Sequence, residues 1–196
     1  RLHAPLRRRR NVVHPLLEAV EPVAPVVTRF ALGGMDEAGR GPVVGPLVLA
    51  GVAVTDPKLP KKLGCTDSKK LSPDRRRAID RALRAKLGDG VAIEVRVIDA
   101  EVLDAERRQG HTMNRIELER FQSIGNALLP ARLRVDAADV DAERFGQILA
   151  AALPREVEVV SEHRADANHA IVGAASIVAK VARDEAVAQL GRRLER

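Results

Sequence analysis

No tryptophan or tyrosine occurs among the 196 residues, and only three phenylalanines do. Stacking of bases on aromatic rings is therefore excluded as a main mode of nucleic-acid binding, and any such contact must be made largely by backbone and charge. The single cysteine, Cys65, excludes an internal disulfide and gives no cluster for structural zinc. A reducing compartment fits, and we take the thiol as a bystander. No apolar run reaches the roughly 18 residues that a membrane-spanning helix needs, and the N-terminal stretch lacks the continuous apolar core of a signal peptide. A soluble, cytoplasmic protein is expected.

What is present is aliphatic and charged. The 45% hydrophobic content comes almost wholly from Ala, Val, Leu and Ile, in a chain long enough for one domain and too short for two ordinary ones. The net charge of +6 suggests a polyanionic partner, but the opening "RLHAPLRRRR" alone supplies Arg1 and Arg7 to Arg10. Residues 1–28 also carry Pro5, Pro15, Pro22 and Pro25, which leave little room for a regular element. They read as a leader that is disordered or non-native, or alternatively as a basic arm gripping nucleic acid. The domain is expected to occupy residues 29–196.

From Phe30 to Asp36 the chain can form a strand, "GRGPVVGP" makes a glycine and proline turn, and "LVLAGVAV" returns as a second strand. Ser72-Pro73-Asp74 then supplies a helix N-cap, a first-turn proline and a dipole-compatible acid, with Ile79, Leu83 and Leu87 at spacing four. "AIEVRVI" alternates as a strand, "DAEVLDAERR" and "TMNRIELERFQSIGNALL" read as helices, and "LRVDAADV" is the next strand, with Asp136 at its end. A helix over 142–153, a strand "EVEVVSEH" and a helix from His169 to Leu190 complete the order. A strand hairpin followed by alternating helices and strands predicts an α/β fold whose mixed sheet is antiparallel at its start and flanked by helices.

Sites in such sheets collect at strand ends beside a switch in connectivity, where Asp36 and Asp136 both lie. On the last helix Ser176, Lys180 and Asp184 form a polar stripe at spacing four, either a solvated face with an ordinary Lys-Asp pair or part of a site. Asp36-Glu37, Asp136 and Asp184 could converge if their elements are neighbours. Oxygen ligands without His or Cys suit magnesium or manganese and not zinc. A divalent ion would also relieve the repulsion within the adjacent Asp-Glu pair, and two such ions about 4 Å apart serve phosphoryl transfer. Asp139, Asp141 and Glu143 read as capping residues of the following helix, Asp139 being the best candidate for more. His111 and His163 are read as solvated, and Glu162 is left unassigned.

"GMDEAGRGPVVGPLVLAGVAV" resembles the opening motif of ribonuclease HII, the type 2 ribonuclease H family. "TDSKKLSPDRRR", "MNRIELERF", "VDAADV" and "VVSEHRADANHAIVGAASIVAKVARD" are similar to its later blocks in the same order, with an archaeal character. The resemblance implies an RNase H-like fold, with Asp36, Glu37, Asp136 and Asp184 as the catalytic, metal-binding acids for Mg²⁺ or Mn²⁺. It implies an endonuclease that cleaves the RNA strand of RNA-DNA hybrids and cuts 5′ of ribonucleotides embedded in duplex DNA, leaving a 3′-hydroxyl. Gly39, Arg40 and Gly41 correspond to the loop that reads the ribose 2′-hydroxyl, chiefly through backbone groups. That suits glycines, which let a backbone approach closely. Lys69, Asn114, Ser176 and Lys180 match blocks lining the substrate groove and are carried over as phosphate contacts.

The motif argues against the sister type, ribonuclease HIII. Two departures shape the expectation: a leader lies upstream of Met35, where members of the resembled family usually begin only a few residues before the first Asp, and the chain stops early. The chain stops at Arg196, before the region where the family supplies a tyrosine that stacks on the deoxyribose beside the junction, so a C-terminal segment is expected to be missing. The sliding-clamp-binding tail of full-length relatives is likewise expected to be absent. A monomeric, metal-dependent hybrid endonuclease is the leading reading. A non-catalytic hybrid-binding fragment is the second, and a resolvase or transposase core of the same fold, which the "GRG" loop disfavours, is the third.

Overall fold

The computed structural model describes residues 29–41 and 44–194. The expected leader over 1–28 lies outside the described residues. Strand β1 (Phe30–Ala38) pairs antiparallel with β2 (Leu47–Val54), which pairs antiparallel with β3 (Val91–Ile98). On its other side β1 runs parallel to β4 (Pro130–Asp136), and β4 runs parallel to β5 (Glu158–Glu162), giving the order β3-β2-β1-β4-β5. The mixed α/β sheet expected from the alternation of elements is therefore present.

Helix α1 (Leu59–Lys62) and a 3₁₀ turn (Ser68–Lys70) lead into α2 (Pro73–Arg84), whose Ser72 side chain accepts from the Arg75 N–H as its N-cap. Helices α3 (Ala100–Arg108) and α4 (Met113–Leu128) follow β3, and α5 (Ala142–Ala151) joins β4 to β5. After β5 come α6 (Ala165–Asn168) and α7 (Ala170–Leu194). Among the described residues no helix is long and apolar enough to cross a membrane.

Every residue of β2 is buried, because the sheet is covered on both faces. Successive side chains of a strand point to opposite faces. Val48, Ala50, Val52 and Val54 accordingly enter one core with α7 and α2, while Leu47, Leu49 and Ala53 enter the other with Ile116, Phe121, Ile124 and Leu128 of α4. Apart from the stripe that begins with Ser176 and Lys180, the N-terminal half of α7 is apolar, and Ile171, Val172, Ala174, Ala175, Ile177, Val178 and Ala179 are all buried. Close packing there depends on Gly34 of β1, where a Cβ would stand 2.5 Å from the backbone of Ile171.

β4 ends at Asp136, as expected from the sequence, because Asp139 Oδ1 accepts from the Asp141 N–H and Asp141 Oδ1 from the Arg144 N–H. These local bonds turn the backbone out of the sheet and into α5. The expected last helix is preceded by the separate turn of α6, since His169 is extended and its carbonyl accepts from the first N–H groups of α7.

Candidate active site

Met35 of β1 lies opposite Val135 of the parallel strand β4. The next residue on each strand is an aspartate, so Asp36 and Asp136 stand side by side where the parallel β1–β4 pairing ends. β5 continues the parallel set with Glu162 opposite Asp136, and the chain emerging from it at the same end forms α6, which carries Asp166. Carboxylate oxygens of Asp36, Asp136 and Asp166 all lie within 4.8 Å of one another. Asp136 is held in place by the Ala165 N–H, 3.3 Å from its Oδ1, and Asp36 accepts from the Glu37 N–H at 2.7 Å. Strand alternation turns Asp36 towards Ser176 of α7 and Glu37 towards Glu117 of α4.

This crowding is electrostatically costly. Burial holds the Asp36 carboxyl well above the ordinary carboxylate range, the charge of Glu37 adds to it, and hydrogen bonding to Ser176 works in the opposite direction. Glu37 is pushed up to about 7, first by burial and then by the charges of Glu117 and Asp136, with Arg40 opposing. Burial also raises Asp136. Three carboxylates converging without a histidine or cysteine fit a hard divalent cation, whose charge would convert their repulsion into shared coordination.

The acids open into a cleft of about 370 Å³ that also takes in Gly39, Arg40, Gly41, Lys69, Ser176 and Lys180, all expected from the sequence. The loop after β1 needs glycine at 39, where φ is +103° and a Cβ would stand 2.5 Å from both the Pro46 carbonyl oxygen and Arg183 Nε. Arg183 in turn donates to the Val44 carbonyl at 2.7 Å, tying the loop to α7. Ser68 and Ser176 share a buried hydroxyl hydrogen bond of 2.9 Å, which fastens the turn bearing Lys69 to α7.

Two expected residues are placed differently. Asp184 does not join the three-carboxylate cluster, because its side chain lies a helical turn beyond Lys180, accepts from Lys180 Nζ and pairs with Arg76 Nη2 at 3.6 Å. Asn114 does not line the cleft, since its amide is occupied within the protein, accepting from Arg40 at 2.6 Å and donating to Asp139 at 3.0 Å.

Asp166 takes the position in the cluster that the sequence reading gave to Asp184. One signal for it was available: an acid just beyond a strand that runs parallel to β4 must emerge at the edge where Asp136 stands. Arg76 was missed as well. Nearly buried, it donates to the carbonyls of Ser68 at 3.0 Å and Leu71 at 2.7 Å and so shapes the Lys69 turn. Glu37, also expected among the metal ligands, lines the cleft but is not one of the three clustered carboxylates. Among the lesser candidates, Asp141 caps α5 as expected, while Asp139 is engaged by Arg144 at 2.7 Å. His163 is exposed, but His111 is partly buried beside Glu106 and Glu119. Arg120 pairs with both of those glutamates and Arg115 with Glu119, which balances the charge of that second group.

A five-stranded mixed sheet with helices on both faces, and carboxylates gathered where its parallel strands end, defines a hydrolase of the RNase H-like fold. The family model described as Ribonuclease HII matches residues 33–196, and the chain belongs to that family of ribonuclease H enzymes. It is 43% identical over 163 residues to Ribonuclease HII of Thermococcus sibiricus, spanning 81% of this chain and 70% of that protein. The structure of the PCNA:RNase HII complex from Archaeoglobus fulgidus superposes with a TM-score of 0.75 at 40% identity, over 83% of this chain and 76% of that one. Ribonuclease H2 from Pyrococcus horikoshii OT3 gives 0.73 at 37% identity, over 83% and 76%.

Proposed function

We propose that this ribonuclease H cleaves the RNA strand of RNA-DNA hybrids and cuts 5′ of ribonucleotides embedded in duplex DNA, with Asp36, Glu37, Asp136 and Asp166 holding two Mg²⁺ or Mn²⁺ ions. The observation that carries this reading is the meeting of three carboxylates from three elements, directly beside a glycine loop at the mouth of a cationic cleft. When bound, divalent ions supply a nucleophilic water at neutral pH and stabilise charge on the leaving oxygen.

The chain's own residues do the rest. Asp36 and Asp136 are fixed by strand register and backbone N–H groups, so they need little reorganisation to receive a cation, and Asp166 is buried beside them on α6. Lys69 and Lys180 flank the acids and attract the phosphate backbone. The Gly39–Gly41 loop admits a ribose close to the main chain, where a 2′-hydroxyl can be told from hydrogen. The acid cluster is formed wholly by residues of this chain, which favours catalysis over the reading of a non-catalytic hybrid binder. The clamp partner in the Archaeoglobus fulgidus structure suggests PCNA as a partner class for this protein too.

The test is incubation with Mg²⁺ or Mn²⁺ and three duplexes: DNA bearing a single ribonucleotide, an all-RNA/DNA hybrid, and plain DNA. Cleavage of the first two, with a 3′-hydroxyl left on the 5′ side of the ribonucleotide, is expected. Cutting of plain DNA, or binding without cutting that is indifferent to Asp136→Asn, would overturn it.

A further inference from the structure

The Gly39–Gly41 loop is intrinsically loose. Nothing lies within 4 Å of the position a Cβ would take at Gly41, and glycines on both sides of Arg40 give the backbone more freedom than any other residue would. Arg183 ties one end of the loop to α7, and its Gly39–Gly41 turn is held on the other side by the Arg40 side chain, 37% exposed. Arg40 Nη1 donates to the Ala138 carbonyl beyond β4, and its Nη2 donates to Asn114 Oδ1 of α4 at 2.6 Å. One helical turn along α4, Glu117 brings a carboxylate oxygen to 3.3 Å from Nη1.

Glu117 has no ordinary reason to be where it is. It is 0% exposed, and neither carboxylate oxygen has a hydrogen-bond partner among the described residues. Burying an uncompensated carboxylate is costly on general grounds, and among the described residues the guanidinium of Arg40 is the cation paired with it. Spacing of three on a helix puts Asn114 and Glu117 on one face, so both address Arg40 at once. Asn114 is in turn oriented by Asp139, which Arg144 grips through both carboxylate oxygens, at 2.8 and 2.7 Å.

We infer that Glu117 and Asn114 are positioning residues: through Arg40 they lock the Gly39–Gly41 loop against α4 and the segment after β4, and so set how well the enzyme selects a ribonucleotide. Arg40 acts here as a strut that turns its side chain inward and leaves the loop backbone to face the cleft. The inference rests on the ribonuclease reading above for its consequence in catalysis, but its structural claim stands apart from it.

The experiment therefore has an arm that needs no turnover. Hydrogen–deuterium exchange of the segment spanning residues 39–41 is followed in the wild type, Glu117→Gln, Asn114→Ala and Arg40→Lys, alongside steady-state cleavage of the duplex bearing one ribonucleotide. Loop exchange should quicken about tenfold in Glu117→Gln while the core of β1 stays protected, as expected for local opening without global unfolding. KM should rise about tenfold with a much smaller change in kcat. Because Glu117 acts through Arg40, Glu117→Gln combined with Arg40→Lys should lose no more than Arg40→Lys alone, a non-additivity that a general packing defect would not give. Asn114→Ala, at a less buried site, should show the same pattern more weakly and covers the case in which Glu117→Gln fails to fold. Wild-type loop exchange in both variants, or additive losses in the double variant, overturns the inference and leaves the ribonuclease reading intact. A loosened loop in a protein that cuts no ribonucleotide-bearing duplex supports the inference and removes that reading.

Discussion

Asp166 of α6 and Asp136 of β4 bring carboxylate oxygens within 4.8 Å of each other, while Asp184, on the same polar stripe as Ser176 and Lys180, is taken up by Lys180 and Arg76. The two aspartates should therefore respond differently to neutralisation. Asp166→Asn is expected to lower cleavage on the order of a thousandfold and to weaken Mn²⁺ binding, because it removes an oxygen from the common point. Asp184→Asn should lower activity about tenfold or less and cost about 1 kcal/mol of stability through its partly exposed ion pairs. Cleavage rates together with calorimetric titration of Mn²⁺ decide between them; equal losses of metal affinity would refute the assignment.

The acid cluster also predicts how metal affects folding stability. Ions that bind only the folded state stabilise it by about 2.7 kcal/mol at a hundred times Kd, which for a domain of this size corresponds to a rise in Tm of about 5–10 °C. Scanning calorimetry with Mn²⁺ against EDTA should show this rise, and Asp36→Asn should reduce it by half or more. An unchanged Tm at millimolar Mn²⁺ would argue that the acids do not hold a cation.

Gly34 and Gly191 should respond to alanine with opposite signs. At Gly34 the new methyl would meet the Ile171 backbone at 2.5 Å and push α7 from the sheet, at a cost of about 1–3 kcal/mol or more. At Gly191, on the exposed last turns of α7, nothing lies within 4 Å and alanine should stabilise by up to about 1 kcal/mol. Urea denaturation midpoints of the two variants measure both effects.

Burial pushes the Cys65 thiol up to about 12. At pH 8 the folded protein should therefore react with a thiol reagent at least about a hundredfold more slowly than the urea-unfolded chain, whose thiol has an ordinary value near 8.5. The sign of the linkage follows: the unfolded chain loses this proton more readily, so this residue's contribution to stability is fully present only below the unfolded value of about 8.5 and is lost as pH rises towards 12. Rapid labelling of the native protein at pH 8 would show that Cys65 is not enclosed.

Much of the fold was legible because periodicity is local. The alternation in "AIEVRVI", the capped start at Ser72-Pro73 and the spaced Ile116, Phe121, Ile124 and Leu128 each name their element without reference to the rest of the chain. The short turns Leu59–Lys62 and Ala165–Asn168 were not legible, since four residues are too few for a period and are held by tertiary contacts. Missing α6 as an element also meant missing Asp166.

The site divides in the same way. Asp36-Glu37 with its glycine loop, and Asp136 at a strand end, stand out as residue types in a local context where burial should be costly, and the ordered motifs carried the family. Which third aspartate joins them was decided by the register of Met35 with Val135 and Asp136 with Glu162, which delivers the chain after β5 to the same edge. Likewise, nothing local marks Glu117 as the counter-charge of Arg40. The sequence alone determined the longer elements, the family and the kind of chemistry, because these depend on residue type and short-range spacing. Only the tertiary structure decided which charges meet, because carboxylates and guanidinium groups far apart in the chain find one another through sheet order and helix packing.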